Sequence, residues 1–123
     1  MPITYAVDRE RSVVLVTWMG DVTQDDYRAH LRAMLEDPDA LRAGKSLVDL
    51  RRANVLPSGA ELNAIGNAEA LPRLAGRSWK TAVLVGTTVN FGIARQYEML
   101  SQSEGTDSVF EDRAAAFAWL AKD

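Results

Sequence analysis

The order of its hydrophobic segments constrains this chain more than any other feature of the sequence. Two strand-like segments open it, at residues 3–7 and 13–19, with a polar turn between them. After them, segments with helical spacing alternate strictly with short apolar segments, giving the order β-β-α-β-α-β-α-β-α. Such alternation requires a mostly parallel sheet, because parallel neighbours need crossover connections. The sequence therefore predicts an α/β fold with an open, mostly parallel sheet and an N-terminal antiparallel hairpin.

Capping and proline signals predict where the helices begin and end. Capping boxes at 23–26 and 58–61 open the first two helices, and the second of them is the complete pattern Ser-x-x-Glu. The first helix is expected to end at 37–38, because the residue before a proline is pushed out of the helical region. The second is expected to end near Leu71, since Pro72 cannot continue it. A later helix presents a face that runs from Val89 to Leu100.

Composition narrows the function classes. The chain has 123 residues, 47% apolar and 25% charged, which suits one globular domain over residues 1–123. It contains no cysteine, which excludes disulfides and thiol catalysis and suits a reducing cytoplasm. Its charge of −3 and scattered basic residues argue against a nucleic-acid partner. The amino terminus does not read as a signal peptide, and no stretch approaches the roughly 18 apolar residues of a membrane span. We therefore expect a soluble cytoplasmic protein.

Several short segments resemble one known superfamily. They are Leu-Val-Asp-Leu at 47–50, Pro-Ser-Gly at 57–59, Phe-Gly-Ile-Ala-Arg-Gln-Tyr at 91–97, and Val-Phe at 109–110 followed by Ala-Trp-Leu at 118–120. In this order and spacing the chain resembles the STAS-like, or anti-sigma-factor-antagonist-like (SpoIIAA-like), superfamily, and more closely its small stand-alone bacterial branch. The resemblance implies successive βα units wound as a superhelix. It also implies a non-catalytic regulatory protein that binds a partner protein.

The same resemblance singles out Ser58. Regulatory members are switched by phosphorylation of a serine in an Asp-Ser-Ser-Gly turn, whereas this chain has Pro57-Ser58-Gly59, one residue shorter and without the acid. Two interpretations of Ser58 remain open. Its hydroxyl can cap the helix together with Glu61, which stabilises a helix start by about 1 kcal/mol. A phosphate there would meet free amides and the positive end of the helix dipole.

A partner surface is predicted around the loop from residue 51 to residue 58. Asp49, Arg51 and Arg52 lie at or just past the carboxyl end of a central parallel strand, where ligands tend to bind in open α/β sheets. The predicted surface comprises Arg51, Arg52, Ser58 and Glu61. The alternative is that Asp49 accepts backbone amides and that the arginines are solvated or paired with carboxylates.

Three further positions have a functional and a structural interpretation. Thr87 and Thr88 follow Gly86 and, together with Arg95, could hold an anion at a helix start, although a plain turn with a threonine cap is the favoured interpretation. His30, the single histidine, is expected at the boundary of the core, without the further ligands that a metal needs. Trp79 lies in a polar segment and either marks a partner patch or folds back over the core.

The sequence argues against catalysis and predicts no cofactor and no metal. It has no cysteine nucleophile, no Gly-x-Ser-x-Gly elbow and no acid partner evident for its histidine. The favoured hypothesis is a protein-binding regulatory module, and self-association through an exposed sheet face is a variant of it. The alternative is a carrier for a small apolar ligand or lipid, with a cavity of a few hundred Å³ lined by Leu62, Ile93 and Tyr97 and with residues 89–100 as its mobile wall.

Overall fold

The computed structural model describes residues 1–74, 76–100 and 106–122 of the chain. The strands are β1 (Ile3–Asp8), β2 (Val13–Val22), β3 (Lys45–Val55), β4 (Lys80–Leu84) and β5 (Asp107–Phe110). The helices are α1 (Gln24–Leu35), α2 (Pro38–Ala43), α3 (Gly59–Leu74), α4 (Thr88–Leu100) and α5 (Arg113–Leu120). No helix within these residues has the length and apolarity needed to cross a membrane.

The strands form one sheet in sequential order, β1-β2-β3-β4-β5. β1 and β2 are antiparallel, and every later pair is parallel. This arrangement confirms the predicted α/β fold with its opening hairpin. The parallel connections follow from the crossover helices, which alternate with strands β2 to β5 as the hydrophobic pattern predicts.

Helices cover both faces of the sheet, and the two faces form separate cores. On one face, Val14 and Val16 of β2 pack with Leu31 of α1, Leu62 of α3 and Ala94 of α4. On the other face, α5 covers a smaller core that contains the neighbouring strand residue Val13 together with Leu47, Leu84, Ala116 and Leu120. Successive strand residues point to opposite faces, so a continuous apolar strand such as β2 supplies both cores.

The structure confirms that α1 ends before Pro38, at Leu35, but it differs from the prediction in two other ways. Pro38 does not only end α1; it opens α2, a short helix absent from the predicted order, with Asp37 as its N-cap. The fixed backbone angle of proline suits the first turn of a helix, where its missing N–H leaves no bond unmade. α3 also runs past the predicted end at Leu71 to Leu74, with Pro72 inside it. Pro72 lies in the last turn, so it interrupts only the end of the helix.

The segment predicted as a loop from 51 to 58 is largely strand. β3 continues to Val55, and its residues 52–55 pair with residues 19–22 of β2 beyond the end of β4. We call this two-stranded part the strand extension. The strand extension has solvent on one face and the buried residues Val22 and Val55 on the other, so a strand there tolerates the exposed arginines at 51 and 52.

Asn90 joins α4 to the strand extension. β4 ends at Leu84, which pairs with Asp49 of β3. The backbone carbonyls of β3 beyond Asp49 therefore receive no hydrogen bonds from β4. The buried amide of Asn90 donates to the carbonyls of Leu50 and Ala53, at 3.0 Å each. One side chain therefore replaces the missing strand and fixes the start of α4 on the sheet.

Candidate functional site

A cavity of about 120 Å³ lies between the larger-core face of the sheet and helices α1, α3 and α4. Val16, Val48 and Val83 contribute to it from three neighbouring strands. Among the described residues, its lining is mainly apolar and contains no aspartate, glutamate, lysine or arginine. Such a space is suited to an uncharged molecule, because a charge without a partner is costly to bury.

The three residues predicted to line a ligand cavity all lie at this one. Leu62 comes from α3, and Ile93 and Tyr97 come from α4. Leu62 is buried, whereas Ile93 and Tyr97 are half-buried. Helical spacing placed Ile93 and Tyr97 on one face, and that face contacts the cavity. The predicted face is shorter than expected, since Val89 and Leu100 at its ends are exposed.

Two tyrosines from different helices meet at the cavity. The hydroxyls of Tyr27 on α1 and Tyr97 on α4 are hydrogen-bonded to each other. Both approach α3 at Gly66, where a Cβ atom would lie 3.2 Å from the Tyr97 hydroxyl and 3.6 Å from that of Tyr27. Burial raises the pKa of Tyr97 to about 12 and that of Tyr27 well above its usual value. Both hydroxyls therefore remain neutral at ordinary pH.

The side chain of Trp18 is part of the cavity lining. Its side chain is 3% exposed, and its ring lies 5.4 Å from that of Tyr27 between centroids. Within the described part of the chain, its indole Nε1–H has no hydrogen-bond partner. A buried donor without a partner is rare in folded proteins and costs free energy. Only the three-dimensional packing reveals this unpaired N–H.

His30 also lines the cavity and is buried, which corrects its predicted place at the core boundary. Its ring meets that of Tyr5 edge to face, with centroids 5.8 Å apart. Burial lowers the pKa of His30 to about 4, so the imidazole is neutral at pH 7. In the part of the chain that the structure describes, no group of histidine and acidic side chains could hold a metal ion.

Trp79 folds over the cavity and does not stand out from the surface. It is half-buried, and its indole N–H donates to the hydroxyl of Ser46 at 3.1 Å. Ser46 is itself 3.4 Å from the hydroxyl of Thr81, and all three residues line the cavity. The second of the two alternatives for Trp79 is thus the observed one, and its N–H, unlike that of Trp18, has a partner.

The predicted partner-surface residues lie at the carboxyl edge of the sheet, away from the cavity lining. The capping box forms as predicted: the Ser58 amide donates to the Glu61 carboxylate at 2.9 Å, and the Glu61 amide donates to the Ser58 hydroxyl at 3.1 Å. Ser58 is half-buried. Glu61 also accepts a hydrogen bond from Gln24, which ties the start of α3 to the start of α1.

The arginines at 51 and 52 are both exposed on β3. Arg51 donates to both carboxylate oxygens of Asp49, at 3.0 and 2.9 Å, and its backbone amide donates to the same group. Burial pushes the pKa of Asp49 upward, but the bonds from Arg51 outweigh it and hold that pKa below its usual value. Asp49 is therefore engaged by its neighbour, as the structural alternative predicted, and Arg52 lies opposite Met19 of β2.

The segment before α4 forms a threonine cap. The hydroxyl of Thr87 accepts from the amide of Asn90 at 3.1 Å, so the helix start is capped by its own chain. Arg95, which the anion hypothesis would place at this site, pairs with Glu98 on the same helix. The structural interpretation of 86–88 is therefore the observed one.

A buried carboxylate that sequence reasoning missed joins α1 to α3. Glu69 of α3 accepts from Arg32 of α1 at 2.9 and 3.0 Å and from Arg73 at 3.0 Å, and Arg28 lies 3.9 Å away. The bonds from Arg32, together with the other arginine charges, hold the pKa of Glu69 below its usual value. In the sequence Glu69 looks like a surface residue, because its partners are brought to it only by helix packing.

The sheet order and helix placement define the class of fold: an open α/β fold of the SpoIIAA-like type. No known family model matches the sequence, and no curated protein matches it. Among solved structures, an uncharacterized DUF3478-family protein from Shewanella loihica with a SpoIIAA-like fold is similar over 96% of this chain and 93% of its own. The TM-score is 0.64 and the sequence identity is 18%. The SpoIIAA-like fold that the sequence resemblance implied is thus confirmed.

Proposed function

We propose that this protein is a non-catalytic binding domain for a small apolar molecule, held in the cavity between the sheet and helices α1, α3 and α4. The observation that carries the proposal is the cavity of about 120 Å³ with its apolar, uncharged lining. It is smaller than the few hundred Å³ expected for a lipid carrier. Buried apolar cavities of about 150 Å³ take up benzene, so the size points to one ring or a short alkyl segment.

The lining supports binding without catalysis. Tyr27 and Tyr97 are neutral and bonded to each other, and burial lowers the pKa of His30 to about 4. Ser46 accepts from Trp79 and is not activated by the histidine. A base-activated nucleophile would need the Ser46 hydroxyl to be hydrogen-bonded to the imidazole of His30. The side chains at the cavity are therefore arranged for holding a ligand by shape and apolar contact.

In this proposal, one wall of the cavity moves when a ligand enters. Of the three wall helices, α4 buries the fewest residues, Asn90 and Ala94, whereas α1 buries four and α3 five. Asn90 fixes the start of α4 on β3, so the rest of the helix is the part that swings. Ile93 and Tyr97 would leave the cavity with it.

The test is a titration with benzene followed by amide NMR shifts. We expect saturable shifts that are concentrated on the residues lining the cavity. Ala70 lines the cavity on α3, so Ala70→Leu fills part of it and should abolish saturable binding. Ala68 lies exposed on the same helix, so Ala68→Leu is the matched control and should bind like the wild type. Shifts that stay linear up to the solubility limit, or that are unaffected by Ala70→Leu, would refute the proposal.

A second candidate function is the binding of a partner protein at the carboxyl edge of the sheet. The observation that favours it is the pair of exposed apolar side chains Met19, 50% exposed, and Leu56, 56% exposed, on or next to the strand extension. Ser58 follows Leu56 closely, so a phosphate on it would add nearly two negative charges to this edge. Regulation of this kind would suit the reducing cytoplasm that the absence of cysteine suggests.

Phosphosite mapping by mass spectrometry tests this second candidate. Protein from its native cells, in growth and under stress, should carry phosphate on Ser58 in at least one condition. Ser78, exposed in the segment before β4, serves as the control for indiscriminate phosphorylation. A Ser58 that is unmodified throughout, or modified no more than Ser78, would leave it a helix cap.

A further inference from the structure

α5 covers only part of the sheet face that carries the smaller core. It packs against β3, β4 and β5 and forms a core with Leu47, Ala82 and Leu84. The same face continues across β1 and β2 toward the carboxyl edge of the sheet. We call this part the open face and define it by six residues from β1, β2 and β3: Thr4, Ala6, Thr17, Met19, Asp21 and Arg52.

Strand pairing and alternation place these side chains on one side of the sheet. Thr17 pairs with Thr4 of β1, and Met19 pairs with Arg52 of β3. Trp18, between the two β2 residues, belongs to the larger core, so its neighbours point to the opposite side. Thr17 is half-buried, and the other residues of the open face are exposed. The open face therefore presents a continuous surface to solvent.

A surface of this kind is unusual in this part of a sheet. β2 and β3 are parallel, and parallel strands are found almost only where both faces are covered. Side chains at its centre are small or apolar, namely Ala6, the two threonines and Met19, which is 50% exposed. Two sheets pack face to face through side chains that interdigitate across a flat surface. The open face is therefore suited to contact with another sheet.

The charges on the open face are balanced and point to one kind of partner. Arg52 forms no ion pair with the described residues and acts on Asp49 only through its charge. Asp21, two positions from Met19, accepts a hydrogen bond of 2.9 Å from the amide of Asn54 and has no cationic partner among the described residues. In a two-fold interface, every contact between two different residues is made twice. A second copy can therefore pair both charges of each chain.

We propose that the open face is the contact surface between two copies of this chain related by a two-fold axis. Arg52 of each copy pairs with Asp21 of the other, and Met19 packs between them. The open face spans three strands and roughly 400 Å² per copy, about half the area of a standard interface, so the dimer is weak. The inference goes beyond the proposed ligand binding, because the cavity lies on the opposite face of the sheet.

The test measures self-association by sedimentation equilibrium up to about 1 mM protein at low salt, with an expected dissociation constant on the order of 100 µM. Arg52→Asp and Asp21→Arg each bring like charges together in the dimer and should weaken it about tenfold. The variant with both changes restores opposite charges and should dimerise like the wild type. Arg77→Asp is the matched control, since Arg77 is exposed in the segment before β4, and it should not alter the dimer.

A second measurement uses the wild-type protein and does not depend on the folding of a variant. On dilution, the NMR signals of the Ala6 and Met19 amides should shift, whereas that of Ala68, exposed on α3, should not. A wild-type protein that stays monomeric up to about 1 mM would overturn the proposal. So would dilution shifts on another surface, or a double variant as weak as the single ones. None of these results bears on ligand binding, which the benzene titration tests separately.

Discussion

His30 lies on α1 with its ring packed against Tyr5, where an imidazolium would lose most of its hydration. Burial lowers the pKa of its imidazole from 6.5 to about 4. The unfolded chain therefore binds a proton between these two pH values that the folded protein does not bind. Because the unfolded state takes up the extra proton, the free energy of unfolding is greatest above pH 6.5 and falls as the pH decreases toward 4.

We accordingly expect the protein to lose about 2 kcal/mol of stability between pH 7 and pH 5. His30 is the single histidine of the chain, so few other groups titrate in this range. Chemical denaturation at several pH values measures the effect. His30→Phe keeps the ring contact with Tyr5 and should show little pH dependence over the same interval. Equal slopes for the variant and the wild type would show that His30 is not the group responsible.

Residue types indicated some of these roles and not others. Ser58 and Glu61 are three positions apart, and a capping box depends only on local backbone geometry, so the sequence predicts it directly. The burial of His30 and Glu69 depends on which helices pack together. The free N–H of Trp18 depends on the absence of a partner in three dimensions. The local sequence pattern shows neither which helices pack together nor which donors lack a partner.

Helices α3 and α4 are in close contact at Gly59, the first residue of α3. A Cβ atom there would lie 2.6 Å from the carbonyl oxygen of Ile93 and 2.7 Å from the Cβ of Gln96. Neither the backbone oxygen nor a Cβ can rotate away, so any larger residue must push the two helices apart. Gly92, within α4, is exposed, and a Cβ atom added to it would have no heavy atom of the described residues within 4 Å.

These two glycines give a matched pair of substitutions. Gly59→Ala should destabilise the protein by about 1–3 kcal/mol, because it overpacks the α3–α4 contact. Gly92→Ala should stabilise it by about 0.5–1 kcal/mol, because alanine favours the helix and nothing obstructs its side chain. Thermal or urea unfolding of both variants measures these changes in stability. A neutral or stabilising Gly59→Ala would mean that the helices are not in close contact.

At the level of elements, the sequence predicted the start of a helix better than its end. The starts of α1 and α3 follow from local caps, which the structure confirms at Thr23 and Ser58. The ends were predicted from proline alone, and that rule held for α1 before Pro38 but failed for α3 at Pro72. Proline costs little in the first or last turn of a helix, so its position within the element decides its effect.

At the scale of the whole molecule, the alternation of strands and helices was sufficient to predict the sheet. Parallel strands joined by crossovers can form few topologies, and this chain adopts the simplest order. The strand extension was not predicted, since its polar residues resemble a loop. The cavity was predicted in its α3 and α4 wall residues, because helical periodicity places them on one face. The residues that line the cavity from the strands and from α1, such as Trp18 and His30, could be recognised only in the assembled fold.

The most direct test of the central claim is to identify what the protein holds in its own cells. Wild-type protein and Ala70→Leu would be purified in parallel from native cells, extracted with organic solvent, and analysed by mass spectrometry. We predict that a small, neutral, apolar compound is extracted from the wild type and is absent from Ala70→Leu. Identical extracts from the two proteins, with no compound enriched in the wild type, would contradict a ligand in the cavity.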